Sequence, residues 1–169
     1  MYVRSRRRPM GSAMSPLLAR SLFVALYVLY PAGCILQLGP DAGDTSPIAS
    51  IVGLLMVAAS FLAFAVLAGS SFQRQAQEPD SKLDERELAQ RNRAAYRAFA
   101  VFAGLVALGL LYMSLRADFA DRILLWAPTE QAHWNALFWG AIMLGLSLPA
   151  AFLAWENEPP RSEDRRVGK

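Results

Sequence analysis

Apolar residues in this chain run in long unbroken stretches instead of alternating with polar ones. Four stretches, 21–40, 47–73, 98–115 and 131–155, hold no charged side chain over 20, 27, 18 and 25 residues. A helix rises 1.5 Å per residue and the hydrocarbon core of a bilayer is about 30 Å thick, so roughly 17 to 25 apolar residues make one crossing. The pattern therefore predicts an all-α polytopic membrane protein with four transmembrane helices, over about 17–38, 47–72, 98–115 and 133–155. The longest connection, 74–97, has 24 residues, too few for an independent core. The whole chain reads as one four-span membrane domain.

That connection carries the most polar character. Ser81 stands where it can cap a helix, Asp84 three residues later completes a capping-box spacing, and Asp84, Glu85 and Glu87 sit at the positive end of the helix dipole. Glu87 and Arg91 have the spacing of a favourable pair. No proline or glycine follows Pro79 until Gly104, so the spacing predicts a cytosolic helix over 82–97 that runs without a break into the third span. Arg86, Arg93 and Arg97 fall near one face beside an apolar stripe of Leu88, Ala95, Phe99 and Phe102. Asp84, Glu85, Arg86, Glu87, Arg93 and Arg97 are thus the candidate contacts to a partner or to lipid phosphate. The run LDERE, followed by arginine, tyrosine and a span, resembles small bacterial inner-membrane proteins with a cytosolic DER-type motif just before a transmembrane helix. Those proteins have no assigned activity. The likeness implies a bacterial inner membrane and this topology, and carries over no functional residue.

Basic residues fix the expected orientation, because positively charged flanks are retained on the cytoplasmic side. Fifteen of the 17 lysines and arginines lie in the N-terminal segment, the 74–97 connection and the C-terminal tail. The turn at 40–46 holds none, and 116–130 holds Arg116 and Arg122. Both termini are expected in the cytoplasm. A net charge of +3 then reflects topology and contact with anionic headgroups, and nucleic acid is not an expected partner. The expected partners are the lipid bilayer and either another membrane protein or further copies of this chain.

Candidate chemistry is sparse. Cys34 is the only cysteine, which excludes an internal disulfide. Pro31-Ala32-Gly33-Cys34 resembles a bacterial lipobox, but the proline departs from its aliphatic position, and Cys34 reads as a small apolar residue inside span one. The span cores hold no charge, unlike carriers that couple transport to a buried carboxylate. His133 is the only histidine. A His-rich metal or haem site within one chain is excluded, no cofactor or metal is expected, and an enzyme would need Asp121, Glu130 and His133 to converge. A lone interfacial histidine is read as structural or solvated.

Small residues four apart (Ala59 and Ala63, Ala65 and Gly69, Ala103 and Ala107, Ala141 and Gly145) predict close packing faces. Trp126, Trp134 and Trp155 read as an interfacial belt with Tyr27, Tyr30 and Tyr112, and Phe138 and Trp139 as packed against a neighbouring helix. Residues 119–126 read as a short interfacial helix. The expected role is an accessory or scaffold protein, not an enzyme, that binds another membrane component. The alternative is a small transporter or channel subunit acting as an oligomer, with Gln37, Asn135 and Ser147 as its polar lining.

Overall fold

The computed structural model describes residues 14–38, 46–119 and 126–156. Among them five α-helices form and no strand: α1 (Pro16–Leu38), α2 (Pro47–Ala68), α3 (Ser71–Gln77), α4 (Glu85–Asp118) and α5 (Gln131–Glu156), with a 3-10 turn at Asp80–Lys82 before α4. α1, α2, α4 and α5 are long and apolar enough to span a membrane, and the chain is a multi-pass membrane protein. Residues 120–125, where an interfacial helix is expected, lie outside the described residues.

The helix starts follow local chemistry. Ser15 and Ser46 each precede a proline at the first helical position, and their hydroxyls accept from the N–H groups of Leu18 and Ala49 at 3.3 and 3.2 Å. The proline lacks a donor that would be orphaned there, and the serine satisfies another.

Packing places the helices in the order α2, α1, α5, α4. The end holding Pro16 and Glu156 is called here the terminal end, and the opposite one the loop end. The core sits toward the terminal end, where Phe23 and Leu26 of α1, Leu67 of α2 and Phe72 of α3 meet Ala150, Leu153 and Ala154 of α5. Buried positions 143, 147, 150 and 154 of α5 alternate steps of four and three, so they fall on one face of the helix. Polar groups tie this end together. Arg20 donates to the carbonyls of Ala154 and Trp155 at 2.9 and 3.1 Å, satisfying the last turn of α5. Arg97 and Glu156 pair at 2.6 Å between α4 and α5.

Span two ends earlier than its uncharged run. α2 stops at Ala68, and Gly69 and Ser70 turn the chain so that 71–77 becomes the separate helix α3. The buried Ser70 hydroxyl accepts from the Gln73 N–H at 3.2 Å. Gln73, itself buried, donates Nε2 to the Leu146 carbonyl at 3.1 Å, one residue beyond the carbonyl that Pro149 leaves without its helical donor. α3 is a polar-tipped wedge against α5 at the terminal end, not the last turn of a span.

A close helix contact is also found outside the spaced small pairs. It is the crossing of α1 and α2 at Gly33 and Gly53, where a methyl on Gly33 would lie 2.8 Å from the Gly53 carbonyl oxygen. Of the expected pairs, Ala63 is buried, but Ala59, Ala65, Gly69, Ala107, Ala141 and Gly145 are exposed on the isolated chain. Trp139 does meet a neighbouring helix, edge-on to Phe61 at 6.2 Å. Phe138 lies mainly exposed against Trp139 of its own helix.

Candidate functional site

The polar helix before span three forms, with its start shifted. Its cap is Asp84 and not Ser81, which lies in the 3-10 turn. Asp84 accepts from the Arg86 N–H at 2.8 Å, and Glu87 accepts from the Asp84 N–H at 3.3 Å, so the capping box is Asp84 with Glu87. With the Glu87 carboxylate turned back to the cap, Arg91 forms no pair with it. Arg91 instead reaches the Glu78 carbonyl at 2.6 Å and the Asp80 carboxylate, pinning the preceding turn to α4. Of the six candidate contact residues, Asp84 and Glu87 thus cap the helix and Arg97 pairs with Glu156. Glu85, Arg86 and Arg93 are exposed, with no hydrogen bond or ion pair seen among the described residues.

The polar groups suggested as a transport lining between copies do not meet within one chain. Gln37 and Asn135 lie on exposed surface, while Ser147 is buried. Ser147 donates to the Met143 carbonyl at 2.6 Å and accepts from the Tyr27 hydroxyl at 2.9 Å, which uses its donor and one lone pair.

What the fold does build is a cleft. The small residues Ala150 and Ala154 of α5 pack with Phe23 and Leu26 of α1 at the terminal end. Toward the loop end, larger side chains hold the two helices apart. Tyr30 stands between them, its hydroxyl donating to the Ala136 carbonyl at 2.7 Å and its ring against Gly140. A cavity of about 670 Å³ results, lined from α1 by Tyr27, Tyr30, Pro31, Cys34 and Ile35 and from α5 by His133, Leu137, Gly140 and Ala141, with Trp126 beside its end. Exposed Ile35 and Leu137 stand at its sides, so it opens laterally. Its volume is that of a site for a small apolar molecule.

Of the two readings of His133, structural or solvated, the structure shows the buried one: it is 4% exposed. Its Nδ1 accepts from the backbone N–H of Glu130 at 3.3 Å, and its Nε2 is buried without a partner. Trp126 stands edge-on to the imidazole with ring centroids 5.4 Å apart. The Glu130 contact is made through its backbone, and Asp121 lies outside the described residues, so no catalytic convergence is seen among the described residues. Among those residues no group of three metal-ligating side chains forms either. The sequence signal for this site was the histidine itself, three residues into a span; nothing in the pattern placed it opposite Cys34 and Tyr30. No protein-family model, curated protein or solved structure matches the chain.

Proposed function

We propose that this chain is an accessory protein of the bacterial inner membrane, with both termini in the cytoplasm and no catalysis of its own, that holds another membrane component. The component is a lipid-soluble molecule seated between α1 and α5. The observation that carries this reading is the laterally open, mostly apolar cleft of about 670 Å³ at the loop end of a bundle that is closed at its terminal end. A bilayer-dissolved molecule reaches such a cleft sideways, without passing through water. In the alternative, a transporter or channel subunit with its path between copies, Gln37 and Asn135 stand on the exposed surface of the chain, while Ser147 is buried and bonded to Met143 and Tyr27. At the other end, the exposed Arg86 and Arg93 are offered to anionic headgroups, each contributing about 1 kcal/mol near such a surface.

Filling the cleft tests the proposal. Ala141 lines it and is exposed, so Ala141→Trp occupies the space without entering the core. The full chain purified in mild detergent should retain an apolar molecule in stoichiometric amount, and the variant should lose it. Equal retention by the two proteins would remove the cleft from consideration.

A further inference from the structure

Resting on the cleft reading, we infer that His133 is its polar anchor, and that the ligand is a carbonyl-bearing lipid whose oxygen accepts a hydrogen bond from Nε2. With Nδ1 accepting from the Glu130 N–H, the proton of the neutral ring is assigned to Nε2. A buried donor without a partner is rare in folded proteins and calls for an explanation. Here the imidazole is 4% exposed, lines a cavity, and keeps that donor unused. The other strong polar groups along the walls are committed: Tyr30 to Ala136, and Tyr27 to Ser147. Trp126 also lines the cleft with an indole N–H but is 41% exposed, so His133 Nε2–H is the buried donor left to recognise a ligand.

The dimensions choose the ligand class. On α5 the lining runs from His133 to Leu144, about 17 Å along the helix axis at 1.5 Å per residue, close to the depth of one leaflet of hydrocarbon. His133 lies in the first turn of α5, at the membrane-surface end of that length. A chain of leaflet length with a neutral carbonyl at its head matches both features. The mostly apolar walls offer no countercharge within the cleft, so a charged head would have to stay outside it. Trp126 flanks the imidazole at the loop end of the cleft, and the ligand oxygen takes its place beside that ring. The same carbonyl chemistry is found in the acyl ester of a glycerolipid and in the ring of an isoprenoid quinone.

Cys34 lines the cleft and is the only cysteine, so its alkylation by N-ethylmaleimide reports occupancy without a second reactive site. The full chain is placed in nanodiscs of ether-linked phosphatidylcholine, which has no carbonyl. Ester-linked phosphatidylcholine is added in one arm and an isoprenoid quinone in the other. At least one is expected to slow alkylation of the wild type in a saturable way, and the arm that does so identifies the source. His133→Phe should weaken that protection about three- to tenfold, the worth of one hydrogen bond. His133→Gln, which keeps an N–H donor, should retain most of it and guards against a folding artefact. Equal protection of wild type and His133→Phe would overturn the anchor while leaving the cleft reading intact. Saturable protection by neither compound would overturn the anchor, and if Ala141→Trp also retains the co-purifying molecule, the cleft reading fails independently.

Discussion

Replacing Gly33 by alanine puts a methyl group where α1 and α2 nearly touch. The new carbon would stand 2.8 Å from the Gly53 carbonyl oxygen, 2.9 Å from a Val57 methyl and 3.0 Å from the Met56 Cβ. The first of these is backbone, which cannot turn aside as a side-chain end can. Relief to about 3.4 Å needs the crossing to open by about 0.6 Å, a gap that forfeits roughly a quarter of the dispersion well at each contact. Overpacking of this kind costs about 1–3 kcal/mol. Alanine returns about 0.5–1 kcal/mol through its better helix propensity. The net expectation is a loss of up to about 2.5 kcal/mol, and about 1–3 kcal/mol relative to an uncrowded glycine-to-alanine change. Gly53→Ala should behave alike, since its methyl would lie 2.7 Å from the Gly33 carbonyl oxygen. The double variant should lose less than the sum, because one displacement relieves both clashes. Gly104→Ala and Gly109→Ala are the controls: nothing lies within 4 Å of either new methyl, so each should be neutral or slightly stabilising. Reversible unfolding by dodecyl sulfate titration in mixed micelles measures all five variants. A Gly33→Ala protein as stable as the Gly104→Ala protein would refute the close crossing.

Three further outcomes are expected. Arg20→Leu leaves the Ala154 and Trp155 carbonyls without these donors and should lower stability by about 1–2 kcal/mol in the same titration, with earlier amide exchange in the last turn of α5. Asp84→Ala removes the capping box at the start of α4 and should cost about 1 kcal/mol locally, seen as faster exchange at Arg86 and Glu87; unchanged exchange there would argue against the cap. A reporter fused after Lys169 should be active in the cytoplasm and one inserted near Gly43 outside it; a tail and a Gly43 turn both outside would mean that a span is misassigned, and exchange of the two locations would mean the inverted orientation.

The candidate site was legible in parts. The capping chemistry of Asp84 and Glu87 could be read from residue type, but its register could not, because Ser81 and Asp84 both offer an oxygen three residues before a suitable carboxylate or amide-bearing side chain. The choice fell to the neighbouring turn, where Arg91 holds Glu78 and Asp80 against α4. His133 could be singled out by its rarity, yet not its burial, which depends on what α1 and Trp126 place around it.

By itself the sequence determined the number of membrane helices and nearly all their bounds, because an unpaired charge or unsatisfied backbone group in hydrocarbon is costly wherever it falls, and that cost can be read residue by residue. Only the tertiary structure decided that residues 71–77 leave span two to wedge against α5, that Gly33 and Gly53 carry the close crossing, and that α1 and α5 part around His133. The reason is the solvent. In water a buried face differs from an exposed one in polarity, and the period of apolar residues reveals it. In a bilayer both faces of a helix are apolar, so the packed and lipid-facing sides of α1, α2 and α5 carry the same letters, and only shape, which the chain acquires on packing, tells them apart.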